Sequence, residues 1–310
     1  MTTLEYLMQY TRIVADTGDL EAIRQWVPEE ATTNPTLLLK AFQMVGARTL
    51  IQEAFSLCKK DEGPQAIASA CSVILAEQIL KLIPGRVSIE VDAHLSFDSN
   101  ATVLAAKRII QWAVKRGIDQ HRILIKITST WEGIQAARIL EQQGIACNCT
   151  LIFHPIQALA CAQAGATLIS PFVGRIYDWY KEHDLLQAGE EDPGVKSVKH
   201  IFNLLKSQGY ETEIMGASFR NIDEILALTG CDRLTIAPKF LQQLQERNEP
   251  VDCRLMLPNQ VERTPEVSEK MFRWEMNQSA MATEKLAEGI RCFARDGETL
   301  CEQIRENYFD

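Results

Sequence analysis

Several kinds of segment are missing from this sequence. No window approaches the roughly 18 consecutive apolar residues of a membrane span, and Met1–Tyr10 lacks a basic stretch followed by an apolar run. The nine cysteines are odd in number and include no CxxC pair, so they do not describe a disulfide framework. Cys147 and Cys149 share one face of an expected strand; without a second Cys/His pair at ligand spacing they read as packing residues. The histidines, His94, His121, His154, His183 and His200, fall at no metal-ligand spacing, and no glycine-rich phosphate loop of the Walker or dinucleotide kind is present. Positive charge is in deficit. With 32 Lys+Arg against 41 Asp+Glu the net charge is −9, which argues against nucleic acid or an acidic membrane surface as the main partner while permitting a local basic pocket. A reducing cytoplasm is the expected location.

What is present fits a large α/β protein. The 310 residues, 46% hydrophobic and 24% charged, are ordinary for a globular chain able to bury a sizeable core. A short helix over Thr2–Gln9 precedes a strand at Arg12–Asp16; Asp19–Val27 is helical, and Ala31–Thr33 is a very short strand. Asn34-Pro35 opens a helix, with helical material through Leu57 and again over Gln65–Ile83. Further strands are read at Val87–Asp92, Ile123–Ile127, Ala146–Phe153, Thr167–Val173, Glu213–Ser218 and Leu234–Ala237. Helices are expected at Ala101–Lys115, Glu132–Gln143, Ile156–Ala164, Val195–Ser207, Ile222–Leu228 and Phe240–Glu246, with a long loop before Pro193-Gly194. Eight strands alternating with helices match a closed (β/α)8 TIM barrel better than an open sheet. The expectation is one domain over residues 1–310, with 264–307 as a helical extension packed on the barrel.

The residue that stands out is Lys126. Ile123–Ile127 is a β-branched run suited to a strand buried on both faces, and a lysine in its middle is almost never fully buried unless paired. Alternation puts Leu124, Lys126 and Thr128 on one face and the three isoleucines on the other. The ammonium reaches an open end of the sheet, finds a carboxylate, or loses its proton. Desolvation and cationic neighbours can lower a lysine pKa from about 10.4 towards about 7–8, leaving a nucleophilic amine. A strand-end salt bridge is the structural alternative.

Periodicity supplies company for it. Ser88, Glu90 and Asp92 share a face, as do Asn148 and Thr150; Asp16 ends the first strand, Asn34 follows the second, Ser170 lies on the sixth, and Ser218 ends the seventh, with Arg220 two residues later. These polar groups point into the barrel toward its C-terminal mouth, where barrel enzymes keep their sites, and are expensive to bury unless used. Structural roles stay open for several. Asp16 is equally suited to cap the helix near Gly18, and Asn34 the one at Pro35; Ser129 with Glu132 reads as a capping box, and Asn221 with Asp223 and Glu224 as a helix start. An ion pair with Lys126 is the alternative for Glu90, and bridging of acidic loops for Arg175 and Arg220. Two arginines at one mouth nevertheless suit a phosphate.

Several stretches then carry a resemblance: Val14-Ala15-Asp16-Thr17-Gly18-Asp19, Ala31-Thr32-Thr33-Asn34-Pro35, Ser88-Ile89-Glu90-Val91-Asp92, Ile123-Leu124-Ile125-Lys126, Cys147-Asn148-Cys149-Thr150-Leu151, Ile169–Ile176 and Met215–Asn221. In order across nearly the whole chain, they resemble the signatures of the transaldolase family, in its long branch of class I aldolase-type barrels that are commonly dimeric. The resemblance implies that Lys126 forms a Schiff base with a ketose phosphate, with no metal or organic cofactor. It implies that Asp16 exchanges the hydroxyl proton during carbon–carbon cleavage, and that Glu90 and Thr150 hold a proton-shuttling water. Asn34, Asn148 and Ser170 would bind the dihydroxyacetone portion, and Arg175, Ser218 and Arg220 the phosphate. Phe172 and Glu90 match the transferase, where fructose-6-phosphate aldolase relatives typically carry Tyr and Gln. His154-Pro155-Ile156 departs from the family's common Ser-Phe-Ala and is expected to fill space near the mouth. Sugar phosphates and a second copy of the chain are the implied partners. An aldolase that releases dihydroxyacetone to water and a barrel that only binds sugar phosphates are the alternatives.

Overall fold

The computed structural model describes residues 1–42, 47–59 and 62–308. Eight parallel strands close into a barrel in sequence order: β1 (Arg12–Asp16), β2 (Glu30–Thr32), β3 (Val87–Glu90), β4 (Ile123–Thr128), β5 (Cys147–Ile152), β6 (Leu168–Pro171), β7 (Glu213–Gly216) and β8 (Arg233–Ile236). The helices are α1 (Thr3–Leu7), α2 (Leu20–Trp26), α3 (Pro35–Phe42), α4 (Ala47–Phe55), α5 (Pro64–Leu80), α6 (Ser99–Lys115) and α7 (Trp131–Gln142), then α8 (Pro155–Gln163), α9 (Val173–Glu182), α10 (Pro193–Ser207), α11 (Ile222–Leu226), α12 (Pro238–Gln245), α13 (Glu269–Gln278) and α14 (Ala280–Tyr308). Side chains such as Ile89, Ile125 and Ile127 leave the barrel outward and are buried under the helices, the arrangement that makes parallel strands read as apolar runs.

The barrel interior is layered. At the floor Glu30 accepts from Arg233 Nε at 2.9 Å and from Arg86 Nε at 2.6 Å, while Arg86 Nη2 donates to Glu213 at 2.7 Å and Arg233 also pairs with Glu213. Val14, Leu124, Leu168 and Met215 form the apolar layer above it. The next layer is polar, because the register sets Glu90 beside Lys126 and Lys126 beside Asn148, with Asp16 beside Thr32 and Thr128 beside Thr150 one step along.

Several boundaries differ from the sequence expectation for local reasons. The third strand stops at Glu90, because Asp92 instead accepts from His94 N and starts a 3-10 turn over Ala93–Leu95. The sixth and seventh strands end at Pro171 and Gly216, leaving Phe172 and Ser218 in the connections that follow. The expected long loop before Pro193 contains α9, whose Val, Ile, Tyr and Trp residues have weak helix propensity and are held by packing. The capping box at Ser129 is not formed: Thr130 is the cap, accepting from Gly133 N at 2.9 Å, while Ser129 Oγ donates to Thr150 O. Asp19, not Asp16, caps α2, whereas Asn34 accepts from Leu37 N and Asn221 from Glu224 N as expected. The helix expected through Leu57 is read as α3 and α4; residues 43–46 between them lie outside the described residues. The tail carries α13 and α14, its helices starting only at Glu269. α14 crosses the mouth, contacting α3, α5, α9 and the end of β5.

Glu30 and Arg233 are 5% and 3% exposed, and removing one partner of a buried pair leaves an uncompensated charge. Glu30→Ala is expected to lower stability by about 3–5 kcal/mol, read as a lower urea midpoint with an unchanged denaturant slope.

Candidate active site

Lys126 projects from β4 into the polar layer. Its Nζ lies 3.1 Å from Glu90 Oε2 on β3, with side chains 6% and 3% exposed, and 3.5 Å from Thr33 O. Among the described residues neither Glu90 oxygen accepts a hydrogen bond of good geometry, and the buried Thr150 hydroxyl on β5 likewise has no partner. Burial drives the Glu90 carboxyl above its ordinary range, against the opposing pull of Lys126 and Arg175. A second carboxyl, Asp16 at the end of β1, is also raised by burial, and Lys126, Thr32, Lys40 and Arg175 work against that rise. Asp16 Oδ1 accepts from Thr32 Oγ1 at 3.3 Å; Thr32 in turn lies 3.1 Å from Thr235 Oγ1 on β8. The mouth thus holds an amine between two acids of differing surroundings, a pattern suited to covalent catalysis through the amine with separate proton carriers.

Asp16, Asn34, Lys126, Thr150, Ser170 and Arg175 line a cavity of ≈ 220 Å³ over this layer. Arg175 is on the first turn of α9. Its guanidinium makes no hydrogen bond or ion pair among the described residues and lies between two rings, 5.2 Å from Phe172 and 5.5 Å from Phe293. Such a planar donor with free N–H groups fits an anion bearing several oxygens. The backbone is tight here. Ser218 sits in the left-handed region at φ 63°, and Leu151 does so at φ 55°, where the β5–β6 register shifts between Cys149 and Ile152. A Cβ at Gly174 would lie 2.4 Å from Ser218 O and 2.7 Å from Arg220 Cγ, so glycine permits the approach of α9 to that loop.

The sequence pattern of the transaldolase/fructose-6-phosphate aldolase family matches residues 13–304. Transaldolase A of Escherichia coli K12 is 52% identical over 304 residues, 96% of each chain. Transaldolase 2 of Salmonella paratyphi A is 52% identical, and transaldolase A of Salmonella typhimurium 51%, with the same coverage. The chain belongs to the transaldolase/fructose-6-phosphate aldolase family. It is therefore a member of an enzyme family.

In this transaldolase-family barrel the residues singled out from sequence occupy several positions. Lys126, Asp16, Thr150, Asn34, Ser170, Phe172, Arg175 and Ser218 all line the cavity. Glu90, 3.1 Å from Lys126 Nζ, lines a neighbouring cavity instead. Asn148 is fully buried; its Nδ2 donates to Ser88 Oγ at 3.0 Å and its Oδ1 accepts from Ser170 Oγ at 2.7 Å, tying β3, β5 and β6 together. Arg220 sits at the rim. Its Nε lies 3.0 and 3.1 Å from the Asp178 oxygens and its Nη2 2.5 Å, while Nη1 is 3.3 Å from Ser218 Oγ. The acidic partner for Arg220 is thus a helix residue, Asp178 of α9. Glu224, pushed up to about 7 chiefly by burial, accepts from Arg220 N at 2.7 Å and anchors the same loop. His154 caps α8 by accepting from Ile156 N, and Gln157 accepts from His154 N, so this departure from the family pattern builds a helix start. Among the described residues no cluster of three or more His, Cys, Asp or Glu side chains is arranged to hold a metal ion.

Sequence reasoning missed Lys40, Phe293 and Asp178. Thr36, Leu37 and Lys40 face the cavity from α3 at helical spacing, a signal readable once Asn34 is placed. Phe293 and Asp178 gave none, because only the crossing of α14 and the presence of α9 bring them to the mouth.

A carboxyl whose folded pKa is raised contributes stability at low pH that is lost as pH climbs from its unfolded value through the folded one. Asp16→Asn is therefore expected to melt at a higher temperature than the parent at pH 7. The gain should vanish toward about pH 4, the unfolded aspartate range. Thermal melts across this interval check the sign; a lower melting temperature at pH 7 would contradict it.

Proposed function

We propose that the chain is a transaldolase, transferring a dihydroxyacetone unit from a ketose phosphate to an aldose phosphate through a Schiff base on Lys126. The donors would be sedoheptulose 7-phosphate or fructose 6-phosphate and the acceptors glyceraldehyde 3-phosphate or erythrose 4-phosphate, in the pentose phosphate pathway of the cytoplasm. The observation that carries the reading is the buried Lys126 amine at the cavity, 3.1 Å from a carboxyl raised by burial. The names and identities of the bacterial transaldolases support the same assignment.

The residues suggest their own division of labour. Lys126 attacks the ketone as a free amine, its proton passing to Glu90. The carbinolamine then loses its hydroxyl as water, with Glu90 and the Thr150 hydroxyl, both short of protein partners, guiding proton and water. The protonated imine is an electron sink. Asp16 removes the hydroxyl proton of the donor, the adjacent carbon–carbon bond breaks, and its electron pair moves into the imine as an enamine. The first aldose leaves, and an acceptor carbonyl is attacked by the enamine while Asp16 returns the proton. Water adds to the new imine with Glu90 taking its proton, so that the carbon–nitrogen bond breaks and the product ketose leaves a free Lys126. Asn34, Asn148 and Ser170 orient the three-carbon unit, and Phe172 borders it. Arg175, Ser218 and Arg220 hold the phosphate. Holding both partners in place supplies much of the rate enhancement. No metal or organic cofactor takes part in this scheme, and the assembly is proposed to be a homodimer.

Borohydride reduction in the presence of fructose 6-phosphate should label Lys126, located by peptide mass. Lys126→Ala should abolish transfer while retaining a cooperative melt; a label on another residue would refute the assignment. Turnover of fructose 6-phosphate with no aldose acceptor would favour a simple aldolase instead. Arg175→Ala and Arg220→Ala are each expected to raise KM for phosphorylated sugars by roughly ten- to a hundredfold, given ~1.5–3 kcal/mol per charged hydrogen bond. An unchanged KM removes that arginine from the phosphate site.

A further inference from the structure

We propose that Phe293 is a positioning residue that bars the water of a neighbouring cavity, beyond the one water Glu90 and Thr150 would hold, from the carbon joined to Lys126 and so favours transfer of the three-carbon unit over its release; this rests on the Schiff-base reading above. The Phe293 ring is 3% exposed and lies 5.7 Å from Lys126 Nζ and 5.5 Å from Arg175 Cζ. It forms a wall between two spaces. On one side is the Lys126 cavity; on the other is a second cavity of ≈ 400 Å³ lined by Glu90 and reached by Ser69, Ser72, His94 and Glu298, and among the described residues only Asn34 joins Phe293 in lining both. A space of that size with several polar partners is one that water occupies.

The wall is held in place along α14. Thr36 Oγ1 donates to Asp296, His94 Nε2 lies 2.9 Å from Glu298 Oε1, and Trp179 Nε1 donates to Glu284 at 2.6 Å. A Cβ at Gly289 would come within 2.8 Å of Leu151 Cδ2 and 3.2 Å of Arg175 Nη1, so the helix sits close on the barrel rim. Truncating the ring joins the two cavities beside Lys126 and Glu90.

The chemistry that such water opens is specific. After the first aldose leaves, the enamine carbon takes a proton from Asp16 and becomes a protonated imine. Water adds to its carbon while Glu90 takes the water's proton. The carbon–nitrogen bond then breaks as the nitrogen is protonated, and dihydroxyacetone departs. This competes with attack on the acceptor, and excluding water from a closed site suppresses such side reactions.

The test measures free dihydroxyacetone per sedoheptulose 7-phosphate formed from fructose 6-phosphate and erythrose 4-phosphate, with borohydride trapping in parallel. In Phe293→Ala the ratio should rise about tenfold, the change that a barrier difference of about 1.4 kcal/mol produces. Phe293→Leu, which retains most of the volume, should rise less and serves as the reading should the alanine variant not fold. A Lys126 label in the parent together with an unchanged ratio in the folded variants overturns the role of Phe293 alone. Absence of that label in the parent overturns both readings.

Discussion

The structure depends on keeping one ammonium-bearing side chain inside a parallel barrel. Lys126 is a strand residue with isoleucines on both sides in sequence, yet alternation delivers it to the interior, where the neighbour in register on β3 is Glu90. Desolvation of both groups would be prohibitive without that pairing. The barrel meets the demand by layering: an ion network closes the floor, an apolar belt seals it from the polar layer above, and the carboxyls gather at the mouth. The two acids then differ because their neighbours differ. Burial raises both and Lys126 opposes the rise in both, but Glu90 is set directly against the amine, whereas Asp16 also accepts from Thr32 and feels Lys40.

The arginine side of the mouth follows another logic. Among the described residues Arg175 has two aromatic faces and no hydrogen-bond partner, while Arg220 is oriented by Asp178 through its Nε edge, with Nη1 turned toward Ser218. One guanidinium is thus poised by stacking and the other by a carboxylate. Both depend on the contact between α9 and the β7 loop, where a glycine and a left-handed serine allow the backbones to meet. Strain of this sort persists where surrounding structure holds it, and here the α9 backbone meets it, Gly174 N donating to Ser218 O.

The tail helix joins these parts. Its 29 residues extend about 43 Å at 1.5 Å per residue, enough to span the mouth from α9 to α3. Phe293 enters the site only because of that crossing. Its contacts with Lys126 and Arg175 relate the amine to the arginine-bearing rim through one ring.

Read alone, the chain determined the eight-strand alternation, the inward face bearing Lys126, Glu90, Asn148 and Thr150, and the family to which the motifs belong. Those features are written in local periodicity and short spacings, which survive without a third dimension. Tertiary structure decided the rest: that Asn148 ties three strands together, that Asp178 orients Arg220, that His154 caps a helix, and that Phe293 lies beside Lys126. Each is a contact between elements far apart in sequence or between a side chain and a helix end, and its geometry exists only once the barrel has closed and α14 has been laid across it.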